Sequence, residues 1–121
     1  MARRCVIHQT RLILSSRHTT KHPIGKRLKQ ARLEAALSQA QLGIRAGIDP
    51  SVASARINRY ERERHQPAFE IVRRLAQVLK KPAPYFYAVD DALAEFIATY
   101  SRLSVAERAK VLAMMRKREA K

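Results

Sequence analysis

Tryptophan is absent, cysteine occurs once, at Cys5, and the 121 residues include only three glycines, three phenylalanines and four tyrosines. A lone cysteine excludes an internal disulfide and fits a reducing compartment. The histidines, His8, His18, His22 and His65, are scattered and have no cysteines at metal-ligand spacing, so no metal centre is expected. Paired carboxylates, a glycine-rich phosphate loop and a nucleophile beside a base are all missing, which argues against an enzyme and against a cofactor. No apolar run approaches the roughly 20 residues of a membrane-spanning helix, so no membrane partner is expected. Acidic side chains are scarce as well: 10 stand against 25 lysines and arginines, a formal charge of +15. Such a field draws in a polyanion, and double-stranded DNA is the leading candidate, which places the chain in the cytoplasm on the nucleoid. Few glycines and much alanine, leucine and arginine favour an all-α fold with a single core.

The most informative stretch is Ser38 to Pro67. Ser38 and Gln41 have the spacing of a capping box, in which each side chain satisfies an unpaired N–H at a helix start. A helix is expected from Gln39, with Leu42 and Ala46 inward and Ile44 alongside, stopping at Gly47, which can take a positive φ. Asp49 then caps and Pro50 opens a second helix. On a wheel of residues 50–62, Ala53, Ile57 and Tyr60 form the packing side, whereas Ser51, Ser54, Ala55, Asn58, Arg59 and Arg62 face out. Small polar side chains mixed with arginines suit base edges and phosphates. The competing reading is an ordinary solvated helix face.

Ser38-Gln39, Leu42, Gly47-Ile48, Ile57, Tyr60-Glu61-Arg62 and Pro67 together resemble the Cro/repressor-type (XRE) helix-turn-helix family. The resemblance extends upstream through Ile24-Gly25, Leu28, Ala31 and Arg32, and downstream through Phe69, Val72, Leu75-Ala76 and Leu79. It implies a five-helix domain over 23–88, whose third helix enters the major groove and which commonly acts as a dimer. It also implies a structural pair between Arg32 and Glu61. Aligned from Glu61, the reading positions are Ser54, Ala55 and Arg59; Ser51 and Asn58 come from the wheel alone. Gln39, at the start of the first motif helix, is expected to hold a phosphate, and Arg62 and Arg64 are assigned to phosphate too. Two departures stand out. About one extra helical turn separates Gly47-Ile48 from Glu61, so either the recognition helix starts early or the loop bulges. Glu63 stands where the family tends to have glycine; a left-handed non-glycine costs about 1 kcal/mol, so a different turn is expected there.

Residues 1–22 contain no acid and five lysines or arginines. They suit a charged tail, a basic arm lying along phosphates or in the minor groove, or an organellar leader, and a short strand fits 11–15. A first helix is expected from Pro23 to Ala36, with Ile24, Leu28, Ala31 and Ala35 inward and Lys26, Arg27 and Lys29 as a solvated face. Phe69, Val72, Leu75, Ala76 and Leu79 close the core, and Tyr85-Phe86-Tyr87 pack against it. Residues 89–121 form a helical pair. Asp90 or Asp91 caps a helix with Leu93, Phe96, Ile97, Tyr100 and Leu103 on one stripe, and Ser104 with Glu107 starts another, carrying Val105, Ala109, Leu112 and Met115. This pair either folds back on the domain or joins two subunits. The expected function is a sequence-specific DNA-binding regulator, a repressor. The rivals are an antitoxin that controls its own operon while its C-terminal helices hold a toxin, and a packaging protein without sequence preference.

Overall fold

The computed structural model describes residues 23–120, and no strand occurs among them. The basic arm, organellar leader, charged tail and short strand considered for residues 1–22 lie outside the described residues.

Helix α1, Ile24–Glu34, buries Ile24, Leu28 and Ala31. It stops short of Ala36, which has φ +57 and starts the turn into buried Leu37, and Ala35 is exposed rather than inward. Helix α2, Gln39–Arg45, opens on the expected capping box: the Ser38 hydroxyl accepts the Gln41 N–H at 3.0 Å, and Gln41 Oε1 accepts the Ser38 N–H at 2.8 Å. It buries Leu42 and leaves Ile44 exposed, and Ala46 is buried just beyond its end. Gly47 follows with φ +91, a conformation that side chains with a β-carbon disfavour.

The extra turn is taken up by the loop. Asp49 accepts the Ser51 N–H at 2.8 Å and the Ser51 hydroxyl at 2.7 Å, closing an Asx-type turn instead of capping a helix at Pro50. Helix α3 then runs Ala53–Glu61, three residues later than the sequence suggested. It buries Ala53, Ile57 and Tyr60. Helices α2 and α3 cross at Gly43: a β-carbon there would stand 2.8 Å from that of Ala53, so the glycine is required for the approach.

Helix α4, Phe69–Leu79, contributes Val72, Leu75, Ala76 and Leu79 to the core. Phe69, expected to close the core, is 59% exposed because it sits on the outer side of the first turn. A short 3-10 segment, Ala83–Tyr87, completes the five-element unit. It buries Tyr85 and Phe86, whose rings meet edge to face at 5.1 Å, but leaves Tyr87 outside, 6.5 Å from the Phe69 ring.

Helix α5, Asp91–Arg102, is capped by Asp90, whose carboxylate accepts the Leu93 N–H at 2.9 Å. It packs on the 3-10 segment and buries Ala94 and Ala98. Helix α6, Val105–Ala120, starts with the expected Ser104–Glu107 capping box and buries no residue. Arg108 braces the corner, donating to the Tyr100 carbonyl at 3.1 Å and the Ser101 carbonyl at 2.7 Å.

Arg27 corrects the reading of α1 as presenting three solvated cations. Lys26 and Lys29 are exposed, whereas Arg27 is 2% exposed. Its Nε donates to the Ala88 carbonyl at 3.0 Å and its Nη2 to the Val89 carbonyl at 3.1 Å. Its Nη1 donates to the Asp91 carboxylate at 2.9 Å.

Candidate nucleic-acid interface

Helix α3 is amphipathic in a sense that matters for binding. Its buried side chains, Ala53, Ile57 and Tyr60, recur at spacings of four and three, so Ser54, Ala55, Asn58 and Arg59 turn toward the opposite side. Ser54, Ala55 and Arg59 are exposed and Asn58 is half-buried. Arg62, at the C-cap, and Arg64, just beyond it, are exposed as well. Ser54, Asn58 and Arg62, and Ala55 and Arg59, recur every four residues and so share one side of the helix, with Arg64 just beyond its exit. Ser51 belongs to the preceding loop rather than the helix face, and its hydroxyl is engaged by Asp49. That interaction, first through the hydroxyl and then through the Ser51 N–H, holds the Asp49 carboxyl below its ordinary range.

The surface is anchored from behind. Glu61, at the last position of α3, accepts from Arg32 Nε at 2.5 Å and from Arg32 Nη2 at 3.0 Å, a bidentate pair between nearly buried side chains. Arg32 Nη1 also donates to the Leu37 carbonyl at 3.0 Å. The hydrogen bond with Glu61 raises the arginine's pKa further, against the opposing effect of burial. The Gln39 side chain joins the same cluster, donating from Nε2 to Glu61 Oε1 at 3.1 Å. Three helices are thus tied at one carboxylate, and the Gln39 amide is committed to it.

The exit of α3 follows the left-handed turn, with Glu63 at φ +60, against the expectation that a non-glycine would change it. The Arg64 N–H donates to the Arg59 carbonyl at 2.9 Å across this turn. Glu63 Oε1 is buried without a hydrogen-bond partner among the described residues, so the position is accepted at a cost in strain and solvation.

Arg56 escaped the sequence reading. It flanks the outward face, donates to the Tyr60 hydroxyl at 2.9 Å and lies 5.9 Å from the centre of that ring. With Arg59, Arg64, His65 and Gln66 it lines an open basic cleft of about 600 Å³ between α3 and the start of α4. The signal was its four-residue spacing from Tyr60, which sets the two side chains side by side.

Among the described residues, no cluster of histidine, cysteine and acidic side chains is suited to a metal ion. No helix there is long and apolar enough to cross a membrane.

A family profile described as a helix-turn-helix domain matches residues 23–83. The chain is similar to a solved structure described as the transcriptional regulator BswR, with 43% sequence identity and a TM-score of 0.72. That match covers 77% of this chain and 92% of the other. No curated protein matches the chain. The matched span holds the α2–α3 motif, its Arg32–Glu61 anchor and its arginine-rich outer face, and on those grounds the chain belongs to the helix-turn-helix family of DNA-binding regulators.

Proposed function

We propose that the chain is a cytoplasmic transcriptional repressor that reads a short operator with α3 in the major groove and binds it as a homodimer. The observation carrying this reading is the outer face of α3: Ser54, Ala55, Asn58 and Arg59 stand on a helix whose end is locked by the Arg32–Glu61 pair. The small side chains allow close approach, and Arg59 has the geometry to bond both acceptors on a guanine edge. Arg62 and Arg64 hold phosphates beside the groove. Ser51, in the loop, meets the backbone at the other end of the helix. Gln39 contributes its main-chain N–H at the open start of α2, its side chain being engaged by Glu61. Repression needs nothing beyond tight occupancy of a promoter.

The second half of the proposal rests on α5 and α6. Helix α5 turns its small residues, Ala94 and Ala98, inward and leaves the larger Leu93 and Phe96 exposed, with Ile97, Tyr100 and Leu103 half-covered. Val105, Leu112 and Met115 of α6 are exposed too. A sixteen-residue helix with no buried side chain has little to hold it in water. A specific interface covers roughly 800 Å² per partner, and this stripe offers exposed apolar side chains for one. A second copy laid on it would also present two α3 helices to two half-sites. The same stripe would serve an antitoxin holding a toxin, and co-purification of a small neighbour-encoded protein would favour that reading.

Selection of binding sites from random duplex DNA tests the proposal. The expected product is a palindrome whose halves lie about one helical turn, or a multiple of it, apart. Failure to enrich any sequence would point to non-specific packaging instead.

A further inference from the structure

The first turn of α1 touches both the reading helix and the segment that leads to the C-terminal helices. A β-carbon on Gly25 would stand 2.6 Å from the Glu61 carbonyl oxygen and 2.9 Å from that of Tyr60, so α1 lies directly against the end of α3. Two residues on, Arg27 grips the connection to α5 at the Ala88 and Val89 carbonyls and at Asp91. Lys26 donates to the same Asp91 oxygen at 2.9 Å. The gripped segment is not helical: Ala88 and Asp90 are extended, and Val89 is 77% exposed. Such a strap has no internal hydrogen bonds to stiffen it, and its direction is set by what holds its carbonyls together with the packing of Ala94 and Ala98 of α5 on the core.

A guanidinium is suited to that task. Its planar fork bonds two successive carbonyls and a carboxylate at once and so fixes an orientation, whereas an ammonium on a flexible stem fixes only a distance. Burying an arginine is a poor route to stability, since its desolvation offsets much of what its partners return. What it supplies here, beside the packing of Ala94 and Ala98, is an oriented polar link from α3 through α1 to the start of α5.

We propose that Arg27 is a positioning residue that sets the separation of the two α3 helices in the dimer and thereby the half-site spacing the protein accepts. This inference rests on the dimeric, operator-reading function proposed above. Adding or removing one base pair between half-sites moves them by about 3.4 Å and turns one about the DNA axis relative to the other. A stiff strap makes that displacement costly; a loosened strap absorbs it, as a longer linker widens the range of geometries a bivalent binder tolerates.

The test compares the full chain with Arg27→Lys and Asp91→Asn on the selected operator and on versions lengthened or shortened by one and two base pairs. Sedimentation measures the dimer, and a single half-site at high protein concentration measures reading by α3. Wild type should favour one spacing over its neighbours by roughly tenfold or more, the scale of a lost bivalent contact. Arg27→Lys should keep the dimer and the half-site affinity while flattening that preference to within about threefold. Asp91→Asn, which leaves the two carbonyl bonds in place, should flatten it less, and it carries the test should the lysine variant fail to fold. A dimeric variant with an unaltered spacing profile overturns the positioning role alone. A monomeric wild-type chain overturns the dimer and this inference together.

Discussion

Gly43 of α2 lies so close to Ala53 of α3 that a β-carbon on the glycine would sit 2.8 Å from the alanine's β-carbon and 3.1 Å from its carbonyl oxygen. The two small residues therefore set how near the helices of the motif approach. Gly43→Ala gains about 1 kcal/mol of helix propensity but forces the backbones apart, and overpacking of this kind costs about 1–3 kcal/mol. The expected result is a net loss of stability in denaturant titrations, with weaker operator binding even where the variant is fully folded. A variant as stable and as tight as wild type would show that α3 moves freely against α2.

Arg32 and Glu61 should be strongly coupled. Removing either strands the other's charge in a largely buried place, at a cost of about 3 kcal/mol or more. A double-mutant cycle measured by chemical denaturation should give a large interaction energy. Gln39→Ala should cost about 1 kcal/mol, the typical value of one hydrogen bond. Additive single-mutant effects at Arg32 and Glu61 would remove the pair as the anchor of α3.

Arg59 and Arg62 should fail in different ways. Arg59→Ala is expected to lower specific binding by about 1–3 kcal/mol and to relax preference at one base pair per half-site. Arg62→Ala should weaken operator and random duplex alike and reduce the log–log salt slope by about 0.9. Competition titrations at several salt concentrations separate the two. Uniform loss at both positions would mean that Arg59 touches phosphate, leaving base reading to Ser54, Ala55 and Asn58.

Phe96 tests the C-terminal stripe. It is 43% exposed and its ring stacks at 5.9 Å on Tyr100, so Phe96→Glu should leave the fold of residues 23–88 intact. The expected outcome is a monomer in sedimentation, unchanged half-site affinity and greatly reduced affinity for the full operator. A dimer that survives this substitution would place the interface elsewhere.

Asp91 gives the chain an acid-sensitive contact. Hydrogen bonds from Lys26 and then Arg27 hold its carboxyl below the ordinary range. A depressed folded value adds stability above the unfolded value, near pH 4, and that contribution is lost as pH falls through the folded value. Wild type should therefore exceed Asp91→Asn in stability at neutral pH, and the difference should vanish in more acidic solution. Melting curves of the two proteins across that range provide the comparison; a constant offset would show that the carboxylate's charge plays no part.

The sequence by itself determined what depends on neighbours a few positions apart. The Ser38–Gln41 and Ser104–Glu107 boxes, the positive φ of Gly47 and the inward stripe of Ala53, Ile57 and Tyr60 follow from helix periodicity and from hydrogen bonds spanning three residues. Tertiary structure decided the rest. Pro50 has the chemistry of a helix start, yet α3 begins at Ala53, because the fit of that alanine on Gly43 and the Asp49–Ser51 turn set the register. Glu63 adopts a left-handed conformation that its type disfavours, since the Arg59 carbonyl closes the turn around it. The clearest case is Arg27. Read as one of three outward cations, it stands three residues after Ile24 and four before Ala31, at the edge of the buried face, and the carbonyl of Ala88, 61 positions along the chain, makes it a buried fastening. Whether a charge on a helix meets water or a strap of backbone is a property of what packs there, which local periodicity does not contain.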